Sequence, residues 1–366
     1  MFRYINIESY RGLNHVVLEE LNRVNVIVGD NNSGKTSILE AIQLLGSRNV
    51  LNNMISIAKR RMAQNGLLMK NQLSSFDEFL YSFPADRNEY KEICLGAFGD
   101  KGEQIRVQID GNISREYLYK EELPGNEQIR FDMYCDEDGA IRYFQGGYSF
   151  DNGCLTEGEY NFRETQLRPT EGSDSKCLKR NIPIVCVSPL DMYTNRIIND
   201  TIYKGMKSEE KKSLIELLQL FDDRLIGVEV GIRYGKPTIL VEMEGRGLMP
   251  VSVFGDGLKK VLTLANAVSK AEHGILLIDE FETGLHKSVL EKVAEWLFTM
   301  AEHHDVQVFL TTHSGDALDA LVQVQNKTDV EISAYRLEHY MGVTYVKNFN
   351  SKELSDLVGK QGMDIL

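Results

Sequence analysis

The amino-acid sequence predicts an α/β protein: a mixed sheet with flanking helices, plus an inserted α+β lobe. Two observations predict the sheet. A short, mostly apolar run at residues 24–28 leads through a glycine loop into apolar residues at helical spacing in residues 37–45. In the last third of the chain, strand-like runs alternate with helical segments, as in sheets of parallel strands. The lobe is predicted because residues 48–180 replace that alternation with short strands, glycines and acidic turns.

The N-terminal elements are predicted to be strands followed by a helix. Residues 2–8 alternate as a half-buried strand does, and residues 16–21 resume a strand-like pattern. The run VNVIV at residues 24–28 is apolar enough to suit a central strand that is covered on both faces. The segment SILEAIQLL at residues 37–45 carries apolar residues at helical spacing.

The middle of the chain is predicted to be a separate lobe. Helices are indicated around residues 54–62 and 76–81, and short strand candidates follow from about 90 to 165. Residues 165–181 are polar and rich in serine and glycine, as an exposed loop is. We therefore predict a discontinuous α/β domain with an inserted lobe, the bounds being 1–47 and 181–366 for the domain and 48–180 for the lobe.

The last third supplies the remaining elements of the α/β domain. Apolar runs indicate strands, helical spacing indicates helices, and a glycine–proline turn at residues 234–237 indicates a hairpin. Strands are predicted at 182–187, 274–278, 306–310 and twice within 331–348; helices at 206–222, 258–270, 287–302 and the end of the chain; and the hairpin at 226–243.

Composition and charge limit the class of protein. The 366 residues are 42% apolar and 26% charged, which is typical of a folded globular chain with a sizeable core. With 41 basic and 54 acidic residues the formal charge is −13, so the average surface repels phosphate backbones. This charge counts against indiscriminate nucleic-acid binding, although a local basic patch would still allow binding.

Nothing in the sequence indicates secretion or a membrane span. The N-terminus MFRYINIESYRGL is already strand-like, and no apolar signal-peptide core follows it. No apolar run approaches the roughly 20 residues that cross a bilayer. The five cysteines include no C-x-x-C pair of a zinc site, so free thiols are expected. We therefore predict a cytoplasmic protein with no membrane partner.

Residues 29–36 read GDNNSGKT and match the pattern G-x-x-x-x-G-K-[ST] of a phosphate-binding loop. Glycines let backbone N–H groups turn toward phosphates, and the following helix presents its N-terminus to the same anions. The lysine reaches the β- and γ-phosphates, and the last hydroxyl binds Mg²⁺. The predicted ATP-binding residues are Gly29, Asn31, Asn32, Ser33, Gly34, Lys35, Thr36 and Ser37, with Thr36 also a predicted metal ligand.

Two further motifs follow predicted strands. The segment ILLIDE ends in Asp279, which is predicted to hold Mg²⁺, and in Glu280, which is predicted to orient or deprotonate the attacking water. Any strand can end in acidic residues, so this motif indicates a nucleotide site only in combination with the phosphate loop. His313, in THS after the strand at 306–310, would reach a γ-phosphate, and a purely structural histidine is the alternative.

These three motifs, in this order, resemble those of the ABC-type ATPases. Gly255-Asp256-Gly257, at the start of the helix at 258–270, lies where that superfamily has its signature motif. The serine–glycine–glycine core of that motif is replaced here by Phe254-Gly255-Asp256-Gly257. The resemblance implies that Gly255 and Gly257 contact the γ-phosphate held by a second subunit. A helix start with flexible glycines is the alternative.

Other residues resemble one branch of that superfamily. The segment FETGLH at residues 281–286 has the Glu-x-Gly-Leu-His form of OLD-family and related AAA-type defence ATPases. The opening YRGL at residues 10–13 is similar to that of RecF and SMC proteins. The resemblance places Arg11 near the nucleotide, and an ordinary surface arginine is the alternative. The segment SPLD at residues 188–191 is similar to RecF at the glutamine-loop position, but it contains no glutamine.

The resemblance covers residues 1–47 and 181–366 and implies a function. It implies an ATPase that uses ATP and Mg²⁺ and forms a homodimer or higher homo-oligomer around the nucleotides. OLD nucleases continue into a Toprim nuclease domain, and no acidic cluster with Toprim spacing follows here. We therefore expect the ATPase to regulate a separately encoded effector, a nuclease or toxin, in antiphage defence.

Three alternatives remain open. A RecF-like repair ATPase would bind DNA, which the acidic total charge disfavours. A transporter's nucleotide-binding subunit is disfavoured by the Gly-Leu-His form, the long insertion and the missing glutamine. A scaffold that binds ATP but barely hydrolyses it is disfavoured by Glu280 and His313, although slow hydrolysis agrees with all of these residues.

Overall fold

The structure is a computed structural model, and the residues that it describes are 1–47, 50–64, 81–84, 90–117, 124–151, 154–155, 163–164, 182–193, 207–233, 236–328, 330–340 and 343–361. The described strands are β1 (Phe2–Tyr10), β2 (Leu13–Leu18), β3 (Val24–Gly29), β4 (Tyr90–Gly99), β5 (Gln104–Tyr117), β6 (Pro124–Glu137), β7 (Ala140–Asp151), β8 (Cys154–Leu155), β9 (Arg163–Glu164), β10 (Ile184–Val187), β11 (Leu225–Arg233), β12 (Lys236–Met243), β13 (Gly247–Pro250), β14 (Ile275–Ile278), β15 (Gln307–Thr311), β16 (Ile332–Tyr340) and β17 (Val343–Phe349). The described helices are α1 (Lys35–Leu45), α2 (Val50–Gln64), α3 (Ser208–Leu218), α4 (Asp256–Lys270), α5 (Lys287–His303), α6 (Gly315–Lys327) and α7 (Ser351–Gln361).

Contacts along the chain divide it into two compact units. The first comprises Met1–Glu19, Thr36–Asn181 and Glu338–Val346, and the second comprises Glu20–Lys35, Ile182–Leu337 and Lys347–Leu366. The predicted domain of residues 1–47 and 181–366 with a lobe at 48–180 stays a prediction. Several predicted features fall wholly or partly outside the described residues, among them the helix at 76–81, the loop at 165–181 and the turn at 234–237.

A six-stranded sheet has the order β10-β14-β15-β3-β16-β17, and its strands β10, β14, β15 and β3 lie in the second unit. The first five strands in that order run parallel to their neighbours. Every residue of β3, β14 and β15 is buried, because layers of side chains cover both faces of these central strands. The predicted fold class, an α/β protein with mixed sheets and flanking helices, is confirmed.

Helices of the second unit turn apolar faces to this sheet. In α4, Leu258, Val261, Leu262 and Ala265 recur at helical spacing and all are buried in the main hydrophobic core. The same core contains side chains of β3, β14 and β15. Helix α4 therefore holds its first turn, which begins after Gly255, in a defined place beside the sheet.

Helix α6 is an element that the sequence analysis did not predict. It begins after Ser314, whose hydroxyl accepts a hydrogen bond from the backbone N–H of Ala317 at 3.3 Å. Its apolar residues, among them Leu318 and Leu321, are buried in the core. The serine cap and this spacing together were a readable helix signal, and α6 begins directly after His313.

The first unit contains a long antiparallel sheet in the order β2-β1-β4-β5-β6-β7-β8, with β9 also pairing with β7. The strands expected between residues 90 and 165 are thus confirmed, and they extend a sheet that β1 and β2 begin. One face is apolar and buried, as Ile93, Leu95, Val107 and Ile109 illustrate.

A third, three-stranded sheet joins β11, β12 and β13, which confirms the predicted hairpin at 226–243 and adds one strand.

Two further findings concern the whole described part of the chain. None of its helices is both long and apolar enough to cross a membrane. Cys94 carries a free thiol.

Candidate nucleotide site

The carboxyl ends of three neighbouring strands meet at one edge of the six-stranded sheet. β3 ends at Gly29, where the predicted phosphate loop begins, and β14 ends directly before Asp279 and Glu280. β15 lies between these two strands and ends at Thr311, two residues before His313. Because parallel strands end on the same side of a sheet, the topology brings the three predicted motifs together.

The loop after β3 contains several residues in left-handed backbone conformations. The φ angle is +142° at Gly29, +65° at Asn32 and +103° at Gly34. A Cβ on Gly29 would lie 2.5 Å from the carbonyl oxygen of Leu337, so close packing also demands glycine there. Asn31 and Asn32 are exposed. Backbone N–H groups turned in this way can form a concave anion-binding nest.

Lys35 folds back over this loop. Its Nζ donates to the carbonyl oxygens of Gly29 at 2.5 Å and Asp30 at 2.8 Å. Burial lowers the pKa of Lys35, while nearby carboxylates, Asp279 first among them, oppose that shift. The buried hydroxyl of Ser33 has no hydrogen-bond partner among the described residues. An oxyanion held in the loop would satisfy the lysine and the serine.

Thr36 and Ser37 are the second and third residues of α1, and both are partly buried. The Ser37 hydroxyl accepts a long hydrogen bond, 3.4 Å, from Arg61 Nη2. Both residues lie in the first turn of a helix that starts at the end of the loop, as a phosphate-binding helix N-terminus requires. Their predicted roles toward nucleotide and metal stay predictions.

Asp279 and Glu280 share one supporting residue, Thr311. The Thr311 hydroxyl donates to Asp279 Oδ1 at 2.7 Å and accepts from the Glu280 backbone N–H at 2.8 Å. Thr311 is itself fully buried. One hydroxyl therefore sets the orientation of the predicted metal-binding carboxylate and the backbone position of the predicted catalytic carboxylate.

Glu280 is held from three more directions. Its φ is +51°, a left-handed conformation that costs a non-glycine residue about 1 kcal/mol or more. The hydroxyl of Thr283 donates to Glu280 Oε2 at 2.9 Å, and the Thr283 backbone N–H donates to the Glu280 carbonyl oxygen at 3.1 Å. Lys260 Nζ donates to the same carbonyl oxygen, also at 3.1 Å. These contacts aim the carboxylate and maintain its strained backbone.

His313 is paired with a carboxylate that the sequence analysis did not single out. Glu282 Oε1 lies 3.1 Å from His313 Nδ1 and accepts the His313 backbone N–H at 3.0 Å. Because a carboxylate accepts hydrogen bonds, the Nδ1 nitrogen carries the proton and Nε2 faces away from Glu282. The imidazole is half-exposed. An oriented, accessible ring is what contact with a phosphate oxygen would need.

The two glycines at the start of α4 have different local environments. A Cβ on Gly257 would lie 2.5 Å from the Phe221 ring, so packing inside this chain requires glycine there. A Cβ on Gly255 would meet open space. The Asp256 carboxylate between them accepts hydrogen bonds from Tyr193 Oη at 2.6 Å and Lys259 Nζ at 3.1 Å. The predicted contact of Gly255 and Gly257 with a second subunit's nucleotide stays a prediction.

Arg11 is buried in the first unit, so the alternative of an ordinary surface arginine is wrong. Its Nε lies 2.8 Å from Glu40 Oε2, and Arg61 Nε lies 2.7 Å from Glu40 Oε1. The hydroxyl of Tyr10 also donates to Glu40, at 3.3 Å. Burial and the Glu40 charge raise the pKa of Tyr10. This network accounts for Arg11 structurally, and its predicted place near the nucleotide stays a prediction.

The 188–191 segment forms a capped turn. The backbone N–H and the hydroxyl of Ser188 both donate to Asp191 Oδ2, at 2.7 and 2.8 Å. Ser188 and Asp191 are both buried. These contacts explain the segment as a turn between β10 and the 3-10 helix Asp191–Tyr193.

The residues present fit a nucleotide with Mg²⁺. The glycine loop, Lys35 and the orphaned Ser33 hydroxyl are donors suited to phosphate oxygens. The Asp279 carboxylate and the Thr36 hydroxyl are hard oxygen donors of the kind that Mg²⁺ prefers. Within the described residues, no three His, Cys, Asp or Glu side chains form a metal cluster. A single protein carboxylate beside nucleotide phosphates is a usual arrangement for Mg²⁺.

Four residues that support the site were not predicted from the sequence: Lys260, Glu282, Thr283 and Thr311. Glu282 and Thr283 had a readable signal, since they follow Glu280 within the FETGLH segment. Thr311 had a weaker one, as a polar residue at the end of a buried strand. Lys260 had no such signal, because the pattern of an amphipathic helix does not show which groups the end of a long side chain contacts.

Comparison with known proteins gives the family. A family model described as "AAA domain, putative AbiEii toxin, Type IV TA system" matches residues 24–320. An ATP/GTP phosphatase of Helicobacter pylori is 21% identical over 355 residues, which cover 90% of this chain and 90% of that protein. The DNA replication and repair protein RecF of Stutzerimonas stutzeri is 30% identical over 111 residues, which cover 30% of this chain and 27% of RecF.

The SMC head domain of Thermotoga maritima aligns over 95% of this chain and 98% of its own, with 13% identity and a TM-score of 0.46, a likeness too low to carry an argument. The family match, by contrast, spans most of the chain and includes the phosphate loop, Asp279, Glu280 and His313. The chain therefore belongs to the AAA-domain family of that description and is an AAA-type ATPase domain.

Proposed function

We propose that this protein binds and hydrolyses ATP at the strand ends that carry Lys35, Asp279, Glu280 and His313. The observation that carries the proposal is the paired support of the catalytic candidates. Thr283 orients the Glu280 carboxylate at 2.9 Å, and Glu282 orients the His313 ring at 3.1 Å. Side chains held by partners in this way are pre-organised for catalysis, as an active site requires.

In the proposed mechanism, each residue has one task. Lys35 exchanges its loop carbonyls for the β- and γ-phosphates, and its charge stabilises the developing negative charge. Glu280 orients the attacking water and accepts its proton. His313 Nε2 contacts the γ-phosphoryl group. Thr36 and Asp279 would hold Mg²⁺, which when bound supplies charge neutralisation of the phosphates.

We also propose that the site is completed by a second copy of the chain. Gly255 and Gly257 at the N-terminus of α4 would contact the γ-phosphate on the partner subunit, in a homodimer or higher homo-oligomer. The open space at Gly255 supports this, since no contact among the described residues requires glycine there. Hydrolysis would then be coupled to association. Sedimentation of a hydrolysis-defective variant with and without ATP tests it: a shift to a dimer is expected, and a monomer at saturating ATP would refute it.

The nucleotide site is tested with Lys35→Ala and a matched lysine. Lys292→Ala removes an exposed lysine of α5 that pairs with Glu295 at 2.9 Å. We expect Lys35→Ala to lose ATP binding by about 100-fold and its turnover with it, because the phosphates lose their cation. Lys292→Ala should behave as wild type. Turnover of ATP and GTP should be measured together, since the Helicobacter pylori relative carries both nucleotides in its name. Unchanged turnover in Lys35→Ala would refute the site.

The output of this ATPase is proposed to be the control of a separately encoded effector, a nuclease or toxin, in antiphage defence within the cytoplasm. The family description, which names a toxin of a toxin–antitoxin system, supports this class of role. The OLD-like Glu-x-Gly-Leu-His segment supports the branch. The test is co-purification of this protein with the product of the adjacent gene, with ATP and without it. No ATP-dependent complex with that product would contradict the proposal.

A RecF-like role in DNA repair is the second candidate, favoured by the 111-residue match to RecF. It predicts tight binding of DNA ends or junctions by the lone protein with ATP. The formal charge of −13 argues against such binding. A mobility-shift assay at moderate salt separates the two candidates, because only the repair ATPase would retain DNA there.

A further inference from the structure

Lys260 is a charged side chain in the interior of the second unit. It lies in α4 and is fully buried. Lysine is among the residues least often found inside a protein without a specific partner, because an ammonium group loses its hydration there. Burial lowers the pKa of Lys260 to about 8, against the opposing effect of nearby carboxylates. Because burial of the Lys260 ammonium is energetically unfavourable, its surroundings should contain groups that stabilise its charge.

The partners of Lys260 are the catalytic candidates. Its Nζ donates to the backbone carbonyl oxygen of Glu280 at 3.1 Å. The carboxylates whose charges act on it are, in decreasing order, Glu282, Asp279, Glu280 and Asp191. Glu282 Oε2 is buried and has no hydrogen-bond partner among the described residues. The ammonium therefore joins Lys35 in compensating the acidic cluster at the end of β14, and Lys260 is the fully buried one of these two lysines.

The carbonyl that Lys260 holds belongs to a strained residue. Glu280 has φ +51°, so its backbone relaxes toward ordinary conformations unless its polar groups are held. Thr311 holds the Glu280 N–H at 2.8 Å, and Lys260 Nζ and the Thr283 backbone N–H both hold the carbonyl oxygen, each at 3.1 Å. Loss of the Lys260 contact leaves this carbonyl with the Thr283 donor alone and loosens the backbone that carries the carboxylate.

The position of Lys260 along α4 links its contact with Glu280 to the N-terminus of the helix. Asp256 is the first residue of the helix and Lys260 lies four residues later, one turn away on the same face. A helix is stiff over a single turn, so a displacement of the α4 N-terminus, where the proposed partner nucleotide would dock, would be carried to the Glu280 carbonyl.

We propose that Lys260 is a positioning residue that couples the N-terminus of α4 to Glu280, so that the water-activating carboxylate is aligned only when α4 is correctly seated. The inference rests on the proposed ATP hydrolysis and deepens it. It assigns to one buried lysine the link between the partner-facing end of α4 and the chemistry within the same subunit.

The test compares two substitutions of Lys260 with a control on the same helix. Lys260→Met keeps the length of the side chain and removes the donor, Lys260→Gln keeps a donor without charge, and Lys270→Met changes a lysine at the far end of α4. Each variant is assayed for ATP affinity by equilibrium binding, for steady-state turnover, and for thermal unfolding. We expect Lys260→Met to lower kcat by about 30-fold or more with ATP affinity within threefold, Lys260→Gln to fall between it and wild type, and Lys270→Met to match wild type.

A double substitution separates positioning from a general structural role. If Lys260 acts through Glu280, Lys260→Met adds no further loss of kcat in a Glu280→Gln background, because the group that it positions is already disabled. Additive losses, or a kcat of Lys260→Met equal to that of wild type, would overturn the inference. Failure of both Lys260 variants to fold would also overturn it, since the lysine would then serve stability alone. If wild type fails to hydrolyse ATP, or Lys35→Ala retains turnover, the proposed function itself fails, which is a distinguishable result.

Discussion

Replacing Thr311 by valine tests whether one buried hydroxyl supports both acidic residues of the site. Valine has nearly the same shape as threonine, so the substitution removes hydrogen bonding and leaves packing unchanged. Thr311 is fully buried, and its hydroxyl bridges Asp279 Oδ1 at 2.7 Å and the Glu280 backbone N–H at 2.8 Å. The matched control is Thr311→Ser, which keeps the hydroxyl and loses only a methyl group.

The magnitude follows from the two hydrogen bonds. A hydrogen bond to an ionised carboxylate contributes about 1.5–3 kcal/mol, and a backbone N–H left without an acceptor costs about 1–3 kcal/mol. Thr311→Val should therefore lower the free energy of unfolding by about 3 kcal/mol. Since Asp279 and Glu280 lose their shared anchor, turnover should fall further than affinity, by about 10- to 100-fold in kcat.

Urea unfolding, ATP binding and steady-state ATP hydrolysis on the same preparations measure these effects. Thr311→Ser should lose about 1 kcal/mol of stability, the cost of one buried methyl group, and keep most of its turnover. If Thr311→Val and Thr311→Ser have equal kcat, the hydroxyl does not organise the site and this reasoning is refuted.

Three other predictions concern separate parts of the chain. Gly29→Ala should abolish ATP binding and lower the free energy of unfolding by about 2 kcal/mol or more, because its Cβ would lie 2.5 Å from the Leu337 carbonyl oxygen. The control Gly12→Ala should be neutral in binding and urea assays, because its Cβ would meet no described atom within 4 Å. Glu40→Gln should lower the free energy of unfolding by about 3 kcal/mol in urea, because two buried or partly buried arginines lose their shared carboxylate. For Lys260, the folded-state pKa of about 8 lies below the ordinary 10.5, so the unfolded state binds more protons between these values and stability rises with pH there. The unfolding free energy of wild type relative to Lys260→Met should thus increase by roughly 2 kcal/mol from pH 7 to pH 10, and a flat difference would contradict that shift.

The local elements of the site could be predicted from sequence because local chemistry determines them. Positive φ angles at Gly29 and Gly34 need glycine, and a helix N-terminus directly after the loop needs the apolar spacing that SILEAIQLL displays. The buried strands β3, β14 and β15 are mostly apolar in sequence, because side chains cover both of their faces. Strand ends in such a sheet lie on one edge, so the proximity of Asp279 to the loop could also be expected.

The supports of the site could not be predicted, because they depend on contacts between distant segments. Thr311 reaches Asp279 across 32 positions of sequence, and Lys260 reaches the Glu280 carbonyl across 20. No spacing rule connects such pairs. The sheet that joins β1 to β4 is of the same kind, since strand partners that are 80 or more residues apart leave no local signal.

The burial of Arg11 shows the same limit. In the sequence, an arginine between two strands is equally suited to the surface, to a phosphate and to a buried ion pair. Its three-dimensional partners, Glu40 and the Tyr81 carbonyl oxygen, lie on segments that the chain brings together only on folding. Side-chain roles of this kind become readable only when the partner residues are known.

The most direct test of the account is ATP binding and turnover by Glu280→Gln beside the exposed control Glu295→Gln, which removes a carboxylate of α5 that pairs with Lys292. We expect Glu280→Gln to bind ATP within about threefold of wild type and to hydrolyse it about 100-fold more slowly, because only the group that activates water is lost. Glu295→Gln should match wild type in binding and turnover. Wild-type turnover in Glu280→Gln would contradict the assignment of this strand end as the catalytic centre.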